Sequence, residues 1–194
     1  MCVYIYIYIY ASLLFLITAA GNGYNNIKWK KVFSHDTSGG LFTSESDALT
    51  KNPENSDAKL FSVMNDLENL RLKDGTYRFK LCYPELSDYD IPCNDWTQTS
   101  NPITDTTIQS FVPIYLAFSE NSYGQAFGGL GVSPVNSEQT LIDDAPDRGR
   151  WWMAIGARQF HGEVDTIPGP YTINVKKVEL YARKPGMFSK YKEA

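Results

Sequence analysis

The sequence predicts a mainly β fold, an antiparallel β-sandwich of the jelly-roll kind with one or two short helices near the N-terminal part. Three observations lead to this fold class. Several apolar runs alternate with polar residues at the two-residue period of a strand. Turn-forming residues separate these runs throughout the chain. Strand-like and helix-like segments do not alternate regularly, which disfavours a parallel α/β sheet.

The first twenty residues form an uncharged apolar segment that ends in small residues. Thr18 and Ala20 stand where a signal peptidase reads its substrate, which predicts a secretory signal peptide cleaved near Gly21. No Lys or Arg precedes the apolar run, and the run is about long enough to span a bilayer. An uncleaved membrane anchor formed by residues 3–20 is therefore the alternative.

The domain prediction follows from this segment and from the chain length. We expect a signal peptide at 1–20, a single β-sandwich domain at 21–185 and a flexible C-terminal tail at 186–194. A secreted, extracellular protein without a stable membrane span after cleavage is the expected result. The net charge is −4 and the basic residues are scattered, so nucleic acid is not an expected partner.

The strand and helix predictions rest on periodicity. Strands are expected at 27–33, 76–83, 111–118, 151–158 and 175–183, with a further short one around 126–132. Pro113 places the third of these at a sheet edge or a bulge. An amphipathic helix is expected over 55–72, and a shorter one follows Ser44, a possible N-cap. In the first strand, Trp29 and Phe33 are expected on one apolar face, with Lys31 as an exception.

Two cysteines remain once the signal peptide, which contains Cys2, is removed. An even number in an oxidising compartment predicts a disulfide between Cys82 and Cys93, and two buried free thiols are the alternative. Cys82 is expected on the polar face near a strand end, so the disulfide would fasten a loop there. The loop is short, so the stabilisation would be on the order of 3 kcal/mol.

Enzymatic chemistry has little support in the sequence. Its only histidines are His35 and His161, and neither has the spacing of a zinc site. The nucleophile-elbow, P-loop and dinucleotide-binding motifs do not occur. We therefore expect a protein that is not an enzyme, and a hydrolase that uses His35 or His161 is only a third alternative.

Carboxylates cluster in two stretches, which raises the possibility of a calcium site. The two clusters consist of Glu85, Asp88, Asp90 and Asp95, and of Asp143, Asp144 and Asp147. The EF-hand pattern is absent, so solvated acidic loops are the preferred interpretation and no metal ligands are assigned.

Tryptophans in polar surroundings are the most informative signal for a ligand. Sugar sites combine a flat aromatic face with amide, carboxylate or guanidinium groups. Trp96, Gln98 and Asn101 are expected to form one wall of a binding site in a polar loop. The next candidates are Asp143, Asp144, Arg148 and Trp151. Burial of these tryptophans in the core is the alternative.

Four segments resemble a family of secreted, largely uncharacterised animal proteins of the cnidarian type. They are IKWKKVF, FKLCYPEL, CNDWTQTSNP and the segment that runs from WWMAIGARQFHG to VKKVELYAR. The shared features include a Cys-loop followed by a W-x-Q-x-S-N-P motif. The V-E-L-Y sequence of the last predicted strand is also similar, over a short stretch, to galactose-binding domains of the discoidin type. Those domains join their ends by a disulfide, and here no cysteine of the mature chain lies near either end.

Together these observations predict a secreted, non-enzymatic recognition module with lectin-like binding of carbohydrate or an extracellular glycoconjugate. A structural protein of extracellular matrix or mucus, assembling through edge strands and exposed tyrosines, is the alternative. The sequence does not assign an oligomeric state.

Overall fold

β strands make up most of the regular structure. The computed structural model describes residues 27–86, 88, 91–120, 125–134, 137–144, 152–162, 164–171 and 173–186. Its strands are β1 (Trp29–Asp36), β2 (Thr50–Lys51), β3 (Leu60–Val63), β4 (Tyr77–Cys82), β5 (Cys93–Gln98), β6 (Val112–Leu116), β7 (Gly131–Val132), β8 (Ile142–Asp143), β9 (Ile167–Pro168), β10 (Asn174–Val175) and β11 (Lys177–Arg183). One α-helix, α1 (Glu45–Leu49), and two 3-10 helices, Thr37–Gly39 and Met64–Leu70, accompany them. The prediction of a mainly β fold with short early helices is confirmed.

Seven strands form one antiparallel sheet in the order β2-β3-β1-β11-β4-β5-β6. The last strand along the chain, β11, therefore lies at the centre of the sheet, between β1 and β4. Two small two-stranded sheets, β7-β8 and β9-β10, complete the described strands. The described residues contain no second sheet of comparable size. The structure therefore shows a mainly antiparallel β fold, and the two-layer sandwich stays a prediction.

One face of the large sheet is buried in the core. In β4 the side chains of Tyr77, Phe79 and Leu81 are fully buried, and Arg78 and Lys80 between them are partly exposed. β11 repeats this alternation. Segments outside the large sheet supply further core residues, before β4 Phe42, Met64 and Leu67, and after β6 Phe118, Phe127, Leu130, Ile142, Ile155, Ile167 and Val175. The predicted alternation of the fourth and eleventh strands is thus confirmed.

β1 changes faces in the middle of the strand. Its register against β11 shifts between Lys31 and Phe33, and Val32 and Phe33 are both fully buried. Trp29 and Lys31 therefore lie on the opposite face from Phe33. The expectation that Trp29, Lys31 and Phe33 share one face was wrong, because a β-bulge shifts the two-residue alternation by one position.

The helix expected over 55–72 is replaced by a strand and a 3-10 helix. Leu60–Val63 is β3, which pairs with both β1 and β2, and Met64–Leu70 follows as a 3-10 helix. All four residues of β3 are buried. Burial on both faces gave the segment the broad apolar stripe that resembles an amphipathic helix. The shorter helix is confirmed as α1, with the Ser44 side chain accepting a hydrogen bond from the Asp47 N–H.

The segment after the disulfide loop is a strand, not the polar loop that was expected. CNDWTQ forms β5, paired with β4 along its whole length. The edge position expected for Pro113 is confirmed, since β6 is the last strand of the sheet and its register against β5 shifts next to Pro113. Of the strand expected over 151–158, the described residues 152–158 form only an isolated bridge between Ile155 and Ile142.

Several sequence predictions fall outside the described residues. They are the signal peptide at 1–20, residues 187–194 of the predicted tail, and the candidate residues Arg148 and Trp151. Among the residues that the structure does describe, no helix combines the length and the apolar character needed to span a bilayer.

Candidate functional site

Trp96 and Gln98, the first two predicted ligand residues, point from β5 into the core and are fully buried. The Trp96 ring packs edge-on against Phe127 with 5.0 Å between ring centroids, and it also contacts Phe79. Its indole N–H donates a hydrogen bond to Gln98 Oε1 at 2.9 Å. In this arrangement neither side chain offers a surface to a ligand. Trp96 is buried in the core, which the sequence analysis gave as the alternative to a ligand site.

The Gln98 amide joins β5 to a distant segment of the chain. Its Nε2 donates to the carbonyl of Leu130 at 2.9 Å, and its Oε1 accepts from the Leu130 N–H at 3.1 Å. Nε2 also contacts the Ser100 carbonyl and hydroxyl. Asn94, on the same face of β5, pairs in the same way with the backbone N–H and carbonyl of Phe118. The two amides hold the overlying segments on the buried face of the sheet.

Asn101 lies at the edge of the core and organises a turn. Its side-chain oxygen accepts from the Ile103 N–H, and its own N–H donates to Asp105. Its amide nitrogen also reaches Glu68 at 3.3 Å. Hydrogen bonds from Arg71 and then Tyr77 lower the pKa of Glu68 to about 2. Asn101 therefore belongs to a structural cluster around Glu68.

The second group of predicted ligand residues is only partly described. Asp143 is fully buried in β8, and Asp144 is half-buried next to it. The Asp144 N–H donates to the Trp152 carbonyl at 3.2 Å. Calcium gains no support, because the described part of the chain holds no group of three or more His, Cys, Asp or Glu residues suited to a metal ion.

The two histidines occupy different surroundings. His35 is fully buried in β1, where its Nε2 lies 2.9 Å from the Gly40 carbonyl and its ring packs edge-on against Phe42. Burial lowers the pKa of His35, although the Gly40 hydrogen bond opposes that change. His161 lies in a loop, with its ring centroid 6.4 Å from that of Trp152. A buried imidazole such as that of His35 has no access to an external substrate.

The predicted disulfide between Cys82 and Cys93 is present. The two residues are directly opposite each other in the β4-β5 pair, with a Cα–Cα distance of 4.1 Å. The disulfide joins the last residue of β4 to the first residue of β5, so it closes the connecting loop at the strand ends, and the expected position of Cys82 near a strand end is confirmed. Glu85, which follows β4, lies near the start of β11, where its carboxylate accepts a hydrogen bond from the Lys176 N–H.

A different surface has the properties of a recognition site, namely the face of the large sheet opposite the core. We call it the open face. Its side chains are Trp29, Lys31, Ser34 and Asp36 of β1, Lys177, Glu179, Tyr181 and Arg183 of β11, Arg78 and Lys80 of β4, and Asp95 and Thr97 of β5. The larger side chains on it are partly exposed, and cations outnumber carboxylates although the whole chain is acidic.

Trp29 is the aromatic centre of the open face. Its ring reaches across β11, so that Lys80 Nζ lies 4.7 Å and Arg78 Cζ 5.5 Å from the ring centroid. Both distances lie within the range of a cation–π interaction. Arg78 is held in place by a two-point ion pair with Asp95, at 2.9 and 2.8 Å. The tryptophan ring is thus fixed among cationic groups at a solvent-accessible position.

Glu179 organises the neighbouring part of the open face. This nearly buried carboxylate accepts hydrogen bonds from Lys31 at 3.1 Å and from the Tyr181 hydroxyl at 2.7 Å, and Lys177 lies 3.2 Å away. Burial raises the pKa of Glu179, but the Tyr181 and Lys31 hydrogen bonds and the two lysine charges outweigh it, so the pKa is lowered. Burial and the hydrogen bond to Glu179 raise the pKa of Tyr181. The negatively charged Glu179 thus holds the ammonium groups of Lys31 and Lys177 in place.

Sequence reasoning missed this surface because it treated Trp29 as a core residue. The available signal was Lys31, a charged residue in an otherwise apolar alternation, which indicated that the strand changes faces there. The alternation of Lys177, Glu179, Tyr181 and Arg183 in β11 also marked a polar face.

Comparison with protein-family models, with curated proteins and with solved structures gave no match. The resemblance to secreted animal proteins and the weaker likeness to galactose-binding domains therefore stay predictions from the sequence motifs.

Proposed function

We propose that this protein is a secreted, non-enzymatic recognition module with lectin-like binding of carbohydrate or an extracellular glycoconjugate, and that the open face is its ligand surface. The observation that carries the proposal is a half-buried tryptophan fixed beside Lys80 and Arg78 on a polar sheet face. A saccharide offers an apolar C–H side that packs on such a ring, and hydroxyls that bond the surrounding charged groups. Because the ion pairs already hold these side chains in place, little ordering would accompany binding.

The compartment and the fold type belong to the same proposal. A disulfide between two central strands is typical of proteins that fold in an oxidising compartment, and this supports secretion through the predicted signal peptide at 1–20. We also infer that β7-β8 and β9-β10 represent a reduced second layer of a β-sandwich. Their buried residues Ile142, Ile167 and Val175 join the core that covers the sheet.

Replacing Trp29 tests the function directly. We expect Trp29→Ala to weaken binding to hits on a glycan array by about tenfold, because a stacked aromatic contributes roughly 0.5–1.5 kcal/mol beyond its buried area. The matched control is Tyr115→Ala, which removes an exposed aromatic at the β6 edge of the same face, about 19 Å from β1 at four strand spacings and apart from the cluster of Trp29, Lys80 and Arg78. An array without hits, or equal binding by Trp29→Ala and wild type, would overturn the proposal.

The sheet edge favours a second candidate, a structural protein of extracellular matrix or mucus. Val112, Ile114 and Tyr115 of the edge strand β6 are 55%, 49% and 45% exposed. An exposed apolar edge is a surface through which copies of a chain associate, although Pro113 and the register shift limit direct strand pairing. Size-exclusion chromatography with light scattering distinguishes the two functions, since only a matrix protein should self-associate, through a contact that Ile114→Lys removes.

A further inference from the structure

We propose that a cleft beside Trp29 holds one neutral saccharide unit of the ligand. The proposal rests on the function argued above and names the ligand class. The cleft lies between the open face and the segment that precedes β3, and its volume is about 250 Å³. Its lining comprises Lys31, Ser34, Asp36, Ser56, Asp57, Ala58, Lys59, Lys177 and Glu179. This volume is slightly below the range of about 300–1,000 Å³ typical of sites for drug-sized ligands, and so suits one small polar unit.

The outer wall of the cleft is tied to the sheet at both ends. The Asp36 N–H donates to the Lys59 carbonyl at 2.8 Å, and Lys31 Nζ reaches the Ser56 carbonyl at 3.4 Å. These bonds attach the segment 56–59 to β1 on either side of Ser34. The cleft is therefore formed before a ligand arrives, and closing around the ligand would require little ordering.

The charged groups of the cleft differ in how far they are already engaged. Glu179 is nearly buried and is satisfied by Lys31, Lys177 and Tyr181. Among the described residues, Lys59 and Asp57 take part in no ion pair within 4 Å, and both are exposed. A ligand in the cleft would thus meet Lys59 and Asp57, which form no ion pair, and also the groups that are ion-paired on the sheet surface, Lys31, Lys177 and Glu179.

This balance of charges selects the ligand class. The lysines Lys31, Lys59 and Lys177 are matched by the carboxylates Asp36, Asp57 and Glu179. With three charges of each sign, the lining offers no net attraction to a sulfate or carboxylate group or to a cation. A hydroxyl both donates and accepts hydrogen bonds, so a neutral polyhydroxylated ring can use both kinds of partner. Of these classes, a neutral sugar fits the lining best.

The cleft and Trp29 lie on the same face of β1, although the Trp29 ring extends over β11 toward Lys80 and Arg78. Lys31 lines the cleft and lies two residues after Trp29 on the same face of β1, so their Cα atoms are about 7 Å apart. A saccharide that stacks on Trp29 would therefore place its neighbouring unit in the cleft. The two parts of the surface can be separated by substitution because they use different side chains.

The test measures binding of neutral methyl glycosides of glucose, galactose, mannose and N-acetylglucosamine by ¹⁵N-resolved NMR titration. At least one should shift the amide signals of Ser34, Ala58 and Lys59. Lys59→Gln and Asp57→Asn, both at exposed positions, should each weaken that binding by about tenfold, the loss typical of a hydrogen bond to a charged group. Lys73→Gln and Asp66→Asn are the matched controls, since both residues are exposed and lie outside the cleft, and should bind like wild type.

Three outcomes would overturn the proposal. If Trp29→Ala abolishes glycoside binding and the two cleft variants bind like wild type, the cleft assignment fails and the general function stands. If only glucuronic acid or galactose 6-sulfate binds, the neutral ligand class is wrong. If none of the sugars binds and the glycan array is also blank, the cleft assignment and the proposed function both fail.

Discussion

At the scale of single residues, two side-chain amides form hydrogen bonds to backbone groups that a neighbouring strand forms in other sheets. Asn94 and Gln98 each present an acceptor and a donor to one backbone peptide, at Phe118 and Leu130 respectively. A buried peptide group needs both partners, and the irregular segments above the sheet obtain them from these amides. The N-x-W-x-Q spacing of β5 is therefore explained by packing, without reference to a ligand.

Removal of the Gln98 amide should destabilise the fold. Gln98→Ala leaves the Trp96 indole N–H and the Leu130 N–H and carbonyl without these buried partners. We expect the free energy of unfolding to fall by on the order of 3 kcal/mol, measured by urea denaturation. Gln159→Ala, at an exposed position, is the control and should change it little. Equal stability of the two variants would show that the amide network contributes nothing.

Residue by residue, the sequence indicates which side chains are unusual better than it indicates where they point. Trp96 and Trp29 were both conspicuous, but their predicted positions were exchanged: Trp96 is in the core and Trp29 is on the open face. The exchange has two physical causes. The polar neighbours of Trp96 are satisfied inside the protein by backbone groups, and a bulge rotates Trp29 out of the apolar alternation.

At the scale of elements, prediction succeeded where one face of a strand is buried and the other is solvated. β4 and β11 have this clean alternation and were found from it. It failed for β3, which is buried on both faces and so lacks the two-residue period. It failed again for β5, whose inward residues include two buried amides that resemble loop residues.

The hairpin of β4 and β5 leads to a prediction about the disulfide. Cys82 and Cys93 are also register partners in a pair of central strands. We expect the double variant Cys82→Ala/Cys93→Ala to keep the β-sheet signal in far-UV circular dichroism, because strand pairing does not depend on the covalent bond alone. Its free energy of unfolding should fall by on the order of 3 kcal/mol, the value for a short closed loop.

Urea denaturation of wild type with and without a reducing agent provides the comparison for that variant. Reduced wild type should match the double variant, and oxidised wild type should be more stable than both. A double variant as stable as oxidised wild type would mean that the hairpin is fixed without the disulfide. Complete loss of the sheet signal would mean that the disulfide is required for folding.

At the scale of the whole molecule, the two faces of the large sheet differ in the side chains that they carry. The buried face carries the amide network and the aromatic core, and the open face carries the half-buried ring of Trp29 among fixed charges. The overall fold class could be predicted because it depends on the sum of many alternating segments. The site could not, because it depends on one bulge in β1 and on contacts between strands far apart in the sequence.

The pH dependence of stability is a property of the whole molecule to which His35 and Glu68 should both contribute at acid pH. Burial lowers the pKa of His35 below its ordinary 6.5, so below pH 6.5 the unfolded chain binds a proton that the folded state excludes. Hydrogen bonds from Arg71 and Tyr77 lower the pKa of Glu68 from 4.5 to about 2. The stability contributed by Glu68 is complete above pH 4.5 and is lost as the pH falls toward 2, reduced in size because its side chain is 61% exposed.

The free energy of unfolding, measured by urea denaturation at several pH values, should therefore fall in two stages on acidification. His35→Gln should flatten the stage that begins below pH 6.5 and leave the stage below pH 4.5. Glu68→Gln should do the reverse, so each variant is the control for the other. If both variants kept the slope of wild type between pH 7 and pH 3, neither group would govern acid stability. The other carboxylates whose pKa is lowered in the fold, Asp36, Asp47, Asp74 and Glu179, would then be responsible.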